Sequence, residues 1–547
     1  MKANKFLTLF LALSMLLLAG CSPSAPAGDG SGVVDNTAAF INYAQDVELV
    51  TMDSQIATDG LSYTIIAACN EGLYTVDKDN VFVPAIAESL EISEDGLTYV
   101  FTIREDAKWN DGTAVTAADF VFAWQRLCDP DTASEYQFFI ADCSGIKNAA
   151  AIAYEGMDPS ELGATAIDER TLEVVLERPC PYFMALIVFP PMYAVKEEFY
   201  NIHGNQYGQT KDNVLANGAY MVTYWEQGGP KVTVEPNPYY YDKDNVTCPG
   251  VNFIVAKDSQ SAALAYERGE IDICTLSGEM VDLYKDTAGF QIVPGNYLWY
   301  LSLNYDLEVF QNANLRLAIA TSFDKEEMCE FVLKDGSVAA NFTIPHGLAA
   351  SDEGHDFRFD STDGLHYDPE AALAYWEAAK AELGIDSLSL TMHVEDTASA
   401  QDVATYIQDS IQKNLPGVKV TLAVMPKSAR LEQMRDGKFE FGLTRWGADY
   451  ADPMSYLGQF TTATAKYGWK NAEFDQLLID IDAGIYATDV DARWEAMIKA
   501  EQMMLDGVAI MPVYQKNDAT LQNPNVTGVE FHPVFFRIFQ RATKVVG

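Results

Sequence analysis

Apolar residues alternate with polar ones in some stretches of this chain and recur every three to four positions in others, and the two periods interleave along its length. Tyr99, Phe101 and Ile103 share one face of a period-two run, and Val418, Val420, Leu422 and Val424 repeat the pattern, so both predict strands. Thr116-Ala117-Ala118-Asp119 has the spacing of a capping box, in which a hydroxyl and a carboxylate satisfy the open N–H groups of a helix start, and it predicts a helix over Phe120 to Leu127. Asp368-Pro369 opens another, with Leu373, Trp376, Ala379 and Leu383 as its apolar positions and Gly384 as its stop. Strands and helices mixed on this scale predict an α/β fold. The pentapeptide Asp-Lys-Asp-Asn-Val occurs at 77–81 and 242–246, but two turn-like pentamers do not signal duplication.

The N-terminus follows a different rule. Lys2 and Lys5 precede an apolar run from Phe6 to Leu18 that is too short to span a bilayer, and Leu18-Ala19-Gly20-Cys21 follows at once. This resembles a bacterial lipoprotein signal with its lipobox. The resemblance implies cleavage before Cys21, diacylation of its thiol and acylation of the new amino terminus, and two or more acyl chains anchor stably where one exchanges. Residues 1–20 are then the signal peptide. Residues 21–37, rich in Ser, Pro, Ala and Gly, form a flexible tether with nothing apolar to pack.

Composition narrows the partners. The chain has 547 residues and 36 Lys+Arg against 79 Asp+Glu, a formal charge of −43. Losing the two leader lysines and no acid would make it −45. Nucleic acid is excluded as a partner, because a polyanion is repelled over the whole surface and clustered basic residues are lacking. An apolar fraction of 48% with 12% aromatics is that of a packed core, not of a disordered acidic tail. The length predicts two or three lobes.

Catalytic signatures are missing. The six histidines form neither His-Glu-x-x-His nor any pair that would share a helical face, and no Gly-x-Ser-x-Gly elbow or Walker loop occurs. Ser322-Phe323-Asp324-Lys325 matches Ser-x-x-Lys but lacks its companion Lys-Thr-Gly. The Asp77/Asp79 and Asp242/Asp244 pairs lack the glycine and distal glutamate of a calcium loop and read as solvated turns. After Cys21 seven cysteines remain, none in a Cys-x-x-Cys spacing; Cys128 and Cys143 are close enough in sequence to bridge, and small buried hydrophobes are the competing reading. A large exported chain of this kind reads as a binder, with no cofactor and no metal.

Several stretches then carry a resemblance. Ala87-Glu88-Ser89-Leu90, Gly96 to Arg104 and Trp109-Asn110-Asp111-Gly112-Thr113-Ala114-Val115-Thr116-Ala117-Ala118-Asp119-Phe120-Val121-Phe122 resemble the signature of the family-5 extracellular solute-binding proteins. The likeness runs on through Asn217-Gly218-Ala219-Tyr220, Arg268-Gly269-Glu270-Ile271-Asp272 and Asn314 to Ala318, to Trp446-Gly447-Ala448-Asp449-Tyr450-Ala451-Asp452-Pro453 and Pro512-Val513-Tyr514. It covers nearly the whole mature chain, and the Trp-x-Ala-Asp-Tyr-x-x-Pro element points to the oligopeptide branch. The resemblance implies a two-lobed α/β clamp of the periplasmic-binding-protein type with an extra third domain and a two-strand hinge. Domain I would be discontinuous, from 38–70, 192–296 and 509–547, the extra domain II would be 71–191, and domain III 297–508. The chain would cross between lobes near 297 and near 509, and closure would bury the ligand.

The resemblance also assigns a site. A buried ammonium needs a counter-charge, and the family's aspartate for this falls on Asp449. The main chain of Trp446, Gly447 and Ala448 would offer strand-like hydrogen bonds that ignore side-chain identity. Thr58-Asp59-Gly60-Leu61 corresponds to the facing strand, with Thr58 and Gly60 contributing backbone groups, and Tyr136 matches an aromatic lining the cleft. Basic residues that meet the peptide carboxylate in the family are not retained: Leu307, Ala400, Met434 and Leu443 stand there. Arg435 and Arg445 are near neighbours, and Arg445 is the preferred substitute because a guanidinium suits a carboxylate. The implied protein is a monomeric, lipid-anchored receptor for short peptides on the outer face of the cytoplasmic membrane, serving an ABC permease and its ATPases. A signalling peptide, oligosaccharide, nickel chelate or haem is the alternative ligand, and a surface peptidase or a chaperone-like adhesin the alternative class.

Overall fold

Two long neighbouring antiparallel strands, Phe290–Leu303 and Met511–Gln522, form the middle of a mixed eleven-stranded sheet. The computed structural model describes residues 39–545 except 78–80, 352–353, 487–488, 533 and 535–536, so the leader, Cys21 and the tether lie outside the described residues. Beyond the first long strand the sheet continues through Phe441–Gly447, Leu388–Glu395 and Val418–Met425. Beyond the second it continues through Ile273–Thr275, Ile41–Gln45, Val251–Val255, Lys231–Pro236 and Tyr220–Trp225, while Val338–Ala339 pairs with the second long strand itself. Each half carries parallel pairs, Ile41–Gln45 with Val251–Val255 and Leu388–Glu395 with Val418–Met425. The second of these needs a crossover, supplied by helix Ala398–Asn414, whose buried Ala400, Val403, Ala404, Ile407 and Ile411 recur every three to four residues.

The long strands are not regular throughout. Between Val293 and Tyr297 the register slips, so that Pro294, Gly295 and Asn296 face the single residue Asn517. A β-carbon on Gly295 would stand 2.3 Å from the Lys516 carbonyl oxygen, so only glycine fits this approach. The bulge is braced: Gly295 donates its N–H to Asn517 Oδ1 at 3.1 Å, and Gln515 Nε2 donates to the Gly295 carbonyl at 2.8 Å.

A separate antiparallel sheet, in the order Ala87–Ile92, Thr98–Ile103, Thr171–Val175 and Ala164–Ala166, packs against helix Ala117–Cys128 around Phe101, Ile103, Trp109, Phe120 and Trp124. The capping box is present, with Asp119 accepting from the Thr116 N–H at 2.8 Å. Tyr99, Phe101 and Ile103 are inward, as their alternation predicts. In Val418–Met425 the alternation holds at Val418 and Val420 but fails at Val424, which is exposed at the sheet edge. Helix Pro369–Leu383 is capped by Asp368 and ends at Gly384 with φ 66°, yet buries Ala372, Trp376 and Ala379 while Leu373 faces out. No disulfide joins Cys128 and Cys143: both are free, Cys128 is a buried hydrophobe, and the Cys143 carbonyl accepts the Cys180 thiol instead.

Candidate functional site

Strand Phe441–Gly447 pairs with the first long strand along its whole length but with Leu388–Glu395 only at Phe441 and Gly442. Among the described residues its other edge is therefore without a strand partner from Leu443 to Gly447. The chain then enters a loop that ends in helix Met454–Leu457. Three anchors hold that loop. Asp452 forms a bidentate ion pair with Arg493, 2.8 and 2.9 Å, and caps the Met454 N–H. Ser455 accepts the Asp449 N–H on its hydroxyl and the Trp446 indole N–H on its carbonyl. The buried Tyr456 hydroxyl accepts from Leu298 N–H and bridges to the carbonyls of Trp446 and Asn296.

Against this satisfied scaffold the Asp449 carboxylate stands out. Among the described residues it has no cation and accepts no hydrogen bond. Burial pushes its pKa up to about 7. Around it stand Tyr63, Tyr136, Tyr297, Tyr456 and Cys143, each of which feels its charge. Tyr136 packs edge-on to Tyr63, with ring centroids 5.8 Å apart, and near Phe189. Its loop is tied down by Ser134, whose hydroxyl donates to the Gln55 carbonyl at 2.6 Å.

Trp446 is half-buried, Ala448 is buried and gives its carbonyl to Asn296 Nδ2 at 3.0 Å, and Gly447 lies under the Tyr297 ring, where a β-carbon would come within 2.6 to 2.9 Å. Two of the main-chain carbonyls expected to face a ligand are thus already engaged within the protein. Thr58 to Leu61 is not a strand. Thr58 is an exposed loop residue, and Gly60 opens helix Gly60–Cys69, because the Asp59 side chain accepts from Ser62 N–H at 2.9 Å and caps it. The preceding loop is fixed by a buried Asp53–Arg126 pair at 2.7 Å.

The candidate carboxylate partners separate clearly. Leu443 and Ala400 are core residues, Leu307 caps a short helix, and Met434 packs its sulfur on Arg430. Arg435 is exposed at a helix end. Arg445 lies across the register from Trp299, its guanidinium 4.6 Å from that ring, and Trp299 stacks on Tyr514. Its Nη1 donates to Glu395 at 2.7 Å, and Glu395 also meets Arg430 at 3.4 Å. Burial lowers the Arg430 pKa, Glu395 offsets part of that, and Arg445 lowers it again. Glu395, Arg430, Tyr297, Ser455 and Tyr456 carried no signal in their local sequence. Ser322 and Lys325 do not pair: the hydroxyl donates to Ile319 O, and Lys325 donates to Ala340 O, Asn341 Oδ1 and Leu365 O.

The far wall closes on the loop through Tyr182, which stacks on Tyr450 with centroids 4.9 Å apart and donates its hydroxyl to Asp482 at 3.0 Å. Arg178 donates to the Asp482 carbonyl.

The profile of the bacterial extracellular solute-binding proteins, family 5, matches residues 81–468. A dipeptide-binding protein of Lactococcus lactis is 30% identical over 96% of this chain and 96% of its own, and the dipeptide-binding protein DppE of Bacillus subtilis is 32% identical with the same coverage. Among solved structures, the substrate-binding domain of an oligopeptide ABC transporter from Bacillus anthracis has 36% identity and a TM-score of 0.76, covering 93% of this chain and 99% of that one. Listeria monocytogenes OppA bound to peptide has 32% identity, a TM-score of 0.75 and the same coverage. The chain belongs to the family-5 bacterial extracellular solute-binding proteins, two-lobed α/β clamps that bind solutes and are not enzymes.

Proposed function

We propose that this protein captures short peptides between its lobes and delivers them to an ABC permease. The observation that carries the reading is Asp449, a half-buried carboxylate that is surrounded by aromatic rings and has no cation among the described residues. Such a group is costly unless a ligand brings the counter-charge, and the α-ammonium is the one cation every unmodified peptide has. The free edge of Leu443–Gly447 can add an extended ligand as a further strand, and Trp446, Gly447, Ala448 and Tyr136 would line it. The relatives named for dipeptides and oligopeptides support this ligand class.

The hinge in this reading is the pair of long strands, with the braced bulge at Pro294–Asn296 as the point of bending. Segments 38–70, 192–296 and 509–547 then move as domain I together with 71–191, against 297–508. The anchor is the acylated Cys21, the working state is a monomer at the outer face of the cytoplasmic membrane, and ATP is hydrolysed by the permease's own ATPases.

Calorimetry with one tripeptide in free and N-acetylated forms tests the reading. A free peptide should bind at least about thirtyfold more tightly, the value of one buried charged contact. Equal affinities would remove Asp449 from this role and direct attention to an oligosaccharide or a metal chelate. Mass spectrometry of peptides recovered after incubation should return them uncut.

A further inference from the structure

A second recess lies away from Asp449. Tyr63, near the start of helix Gly60–Cys69, feels the Asp449 charge; the helix runs on for roughly 10 Å, and its far end opens onto a cavity of about 300 Å³. That volume holds roughly ten waters, or a small molecule of about as many heavy atoms.

The cavity is built beside Glu71, which is 6% exposed. Its Oε1 accepts from the Tyr240 hydroxyl at 2.5 Å and from Gln540 Nε2 at 3.0 Å, and its Oε2 accepts only from the Tyr241 hydroxyl, at 3.1 Å. All three donors are neutral. Burial pushes the Glu71 pKa up, and the donors offset only part of that. Arg104 acts on it from its place over the Tyr241 ring, 3.8 Å from the centroid, where it already pairs with Asp106 at 3.1 Å. Two further polar side chains, Tyr193 and Asn70, line the same space, each 7% exposed. Asn70 Nδ2 donates to the Leu215 carbonyl at 3.1 Å, but Asn70 Oδ1 and the Tyr193 hydroxyl have no partner among the described residues. Both atoms keep contact with solvent through the cavity they line.

The charge around the cavity is one-sided. Asp77, Asp242 and Glu530 line it as well, against one basic residue among the described ones, the exposed Arg541. Asp77 and Asp242 are the first residues of the two Asp-Lys-Asp-Asn-Val pentapeptides, so the two copies converge here. Acceptors without donors, in a negative field, match a cation that carries N–H groups. A metal ion fits poorly, because no three His, Cys, Asp or Glu side chains among the described residues stand close enough to share one. A primary ammonium fits: its three N–H groups suit the open side of Glu71, Asn70 Oδ1 and the Tyr193 hydroxyl, and the tyrosine rings can take its carbon stem.

We propose that this cavity is a second binding site, for a small primary amine whose ammonium sits among Glu71, Asn70 and Tyr193. It is separate from the peptide site and does not depend on the reading of Asp449.

Calorimetry on the full chain with phenethylamine and putrescine tests this, each beside the alcohol of the same skeleton. At least one amine should bind about tenfold or more tightly than its alcohol, the ratio of one charge-assisted contact. Glu71→Gln should weaken that binding about tenfold and Tyr193→Phe a few-fold. Ala67→Met, which narrows the cavity without removing a polar group, should weaken it too. Each variant should keep the parent's circular dichroism and cooperative melting; if Glu71→Gln does not, Tyr193→Phe and Ala67→Met decide. Asp449→Asn should leave amine binding unchanged. Three results overturn the inference: neither amine binding better than its alcohol, which leaves a water-filled cavity only; binding untouched by the cavity variants; or binding lost in Asp449→Asn, which puts the amine in the peptide site.

Discussion

Asp449 and Asp452 stand three residues apart in one loop, and the fold treats them in opposite ways. Asp452 holds a guanidinium by both oxygens and caps a helix. Asp449 has neither a cation nor a donor among the described residues, and burial pushes its pKa up to about 7. Two other buried acids follow Asp452: Asp53 meets Arg126 at 2.7 Å, and Glu501 pairs with Arg358 while accepting two backbone N–H groups. A buried charge satisfied by its own chain shapes the scaffold, and in the proposed reading the unsatisfied one receives its cation from the ligand.

Breaking the scaffold member of the pair should have the largest effect. Arg493→Met leaves Asp452 enclosed without a cation, which costs about 3–5 kcal/mol. Thermal unfolding should reveal that loss in the ligand-free protein, and peptide binding should fail with it because Ser455 and the Asp449 backbone are held by the same loop. An Arg493→Met protein that melts like the parent would show that the loop has other support.

Asp449→Asn should do the reverse. Binding of a free peptide should weaken by about 2–4 kcal/mol in calorimetry, because one partner of a desolvated charge pair is gone. The ligand-free fold should become more stable. The folded-state pKa of Asp449 lies above its ordinary 3.8, so the native state binds the proton more strongly than the unfolded chain. Stability therefore declines as pH rises from about 4 to about 7 and stays low above that, and Asn removes this decline. Partial exposure of the side chain brings the gain at pH 8 to about 1–2 kcal/mol. No gain should be seen below about pH 3, where both states are protonated.

The same titration sets a pH profile for binding. The peptide's ammonium favours the Asp449 carboxylate, so below pH 7 each bound ligand must displace a proton. Affinity should fall about tenfold, 1.4 kcal/mol, per pH unit as pH drops below 7. It should fall again above about pH 8 as the α-amine loses its proton. A flat profile from pH 5 to 7 would place Asp449 outside the contact.

Which of these features the chain announces depends on how local their cause is. The capping box at Thr116, the Asp368 cap and the Gly384 stop rest on hydrogen bonds or backbone angles within four residues, and each is where its pattern puts it. The Asp59 cap was equally local. Asp59 and Ser62 have the spacing of an N-cap, and a reading on that basis would have placed a helix at Gly60 instead of a strand. Leu373 and Val424 are exposed because the face buried by a helix, and the company a strand keeps at a sheet edge, are tertiary choices. Asp449 is singled out by its motif, and the fold leaves that carboxylate without a cation among the described residues. The Glu395 cluster was not, since its members lie 35 and 50 residues from Glu395, one on helix Lys427–Arg435 and one on strand Phe441–Gly447, and meet only in the folded chain.

The smallest expected effect comes from the strand end beside Asp449. Gly447 has ordinary backbone angles, so alanine there brings no conformational strain, but its β-carbon would come 2.6 to 2.9 Å from the Tyr297 ring. That ring is 49% exposed and free to swing, so Gly447→Ala should cost the fold under about 1 kcal/mol. The displaced ring, however, is the one on which both Arg445 and Asp449 act. Peptide affinity should fall a few-fold, about 1 kcal/mol, while the preference for a free amino terminus persists because Asp449 is untouched. A second change, Tyr297→Ala in the Gly447→Ala background, should recover the steric cost and leave only the loss of ring contact. Should Gly447→Ala bind peptide as tightly as the parent, Tyr297 would be a bystander to the ligand.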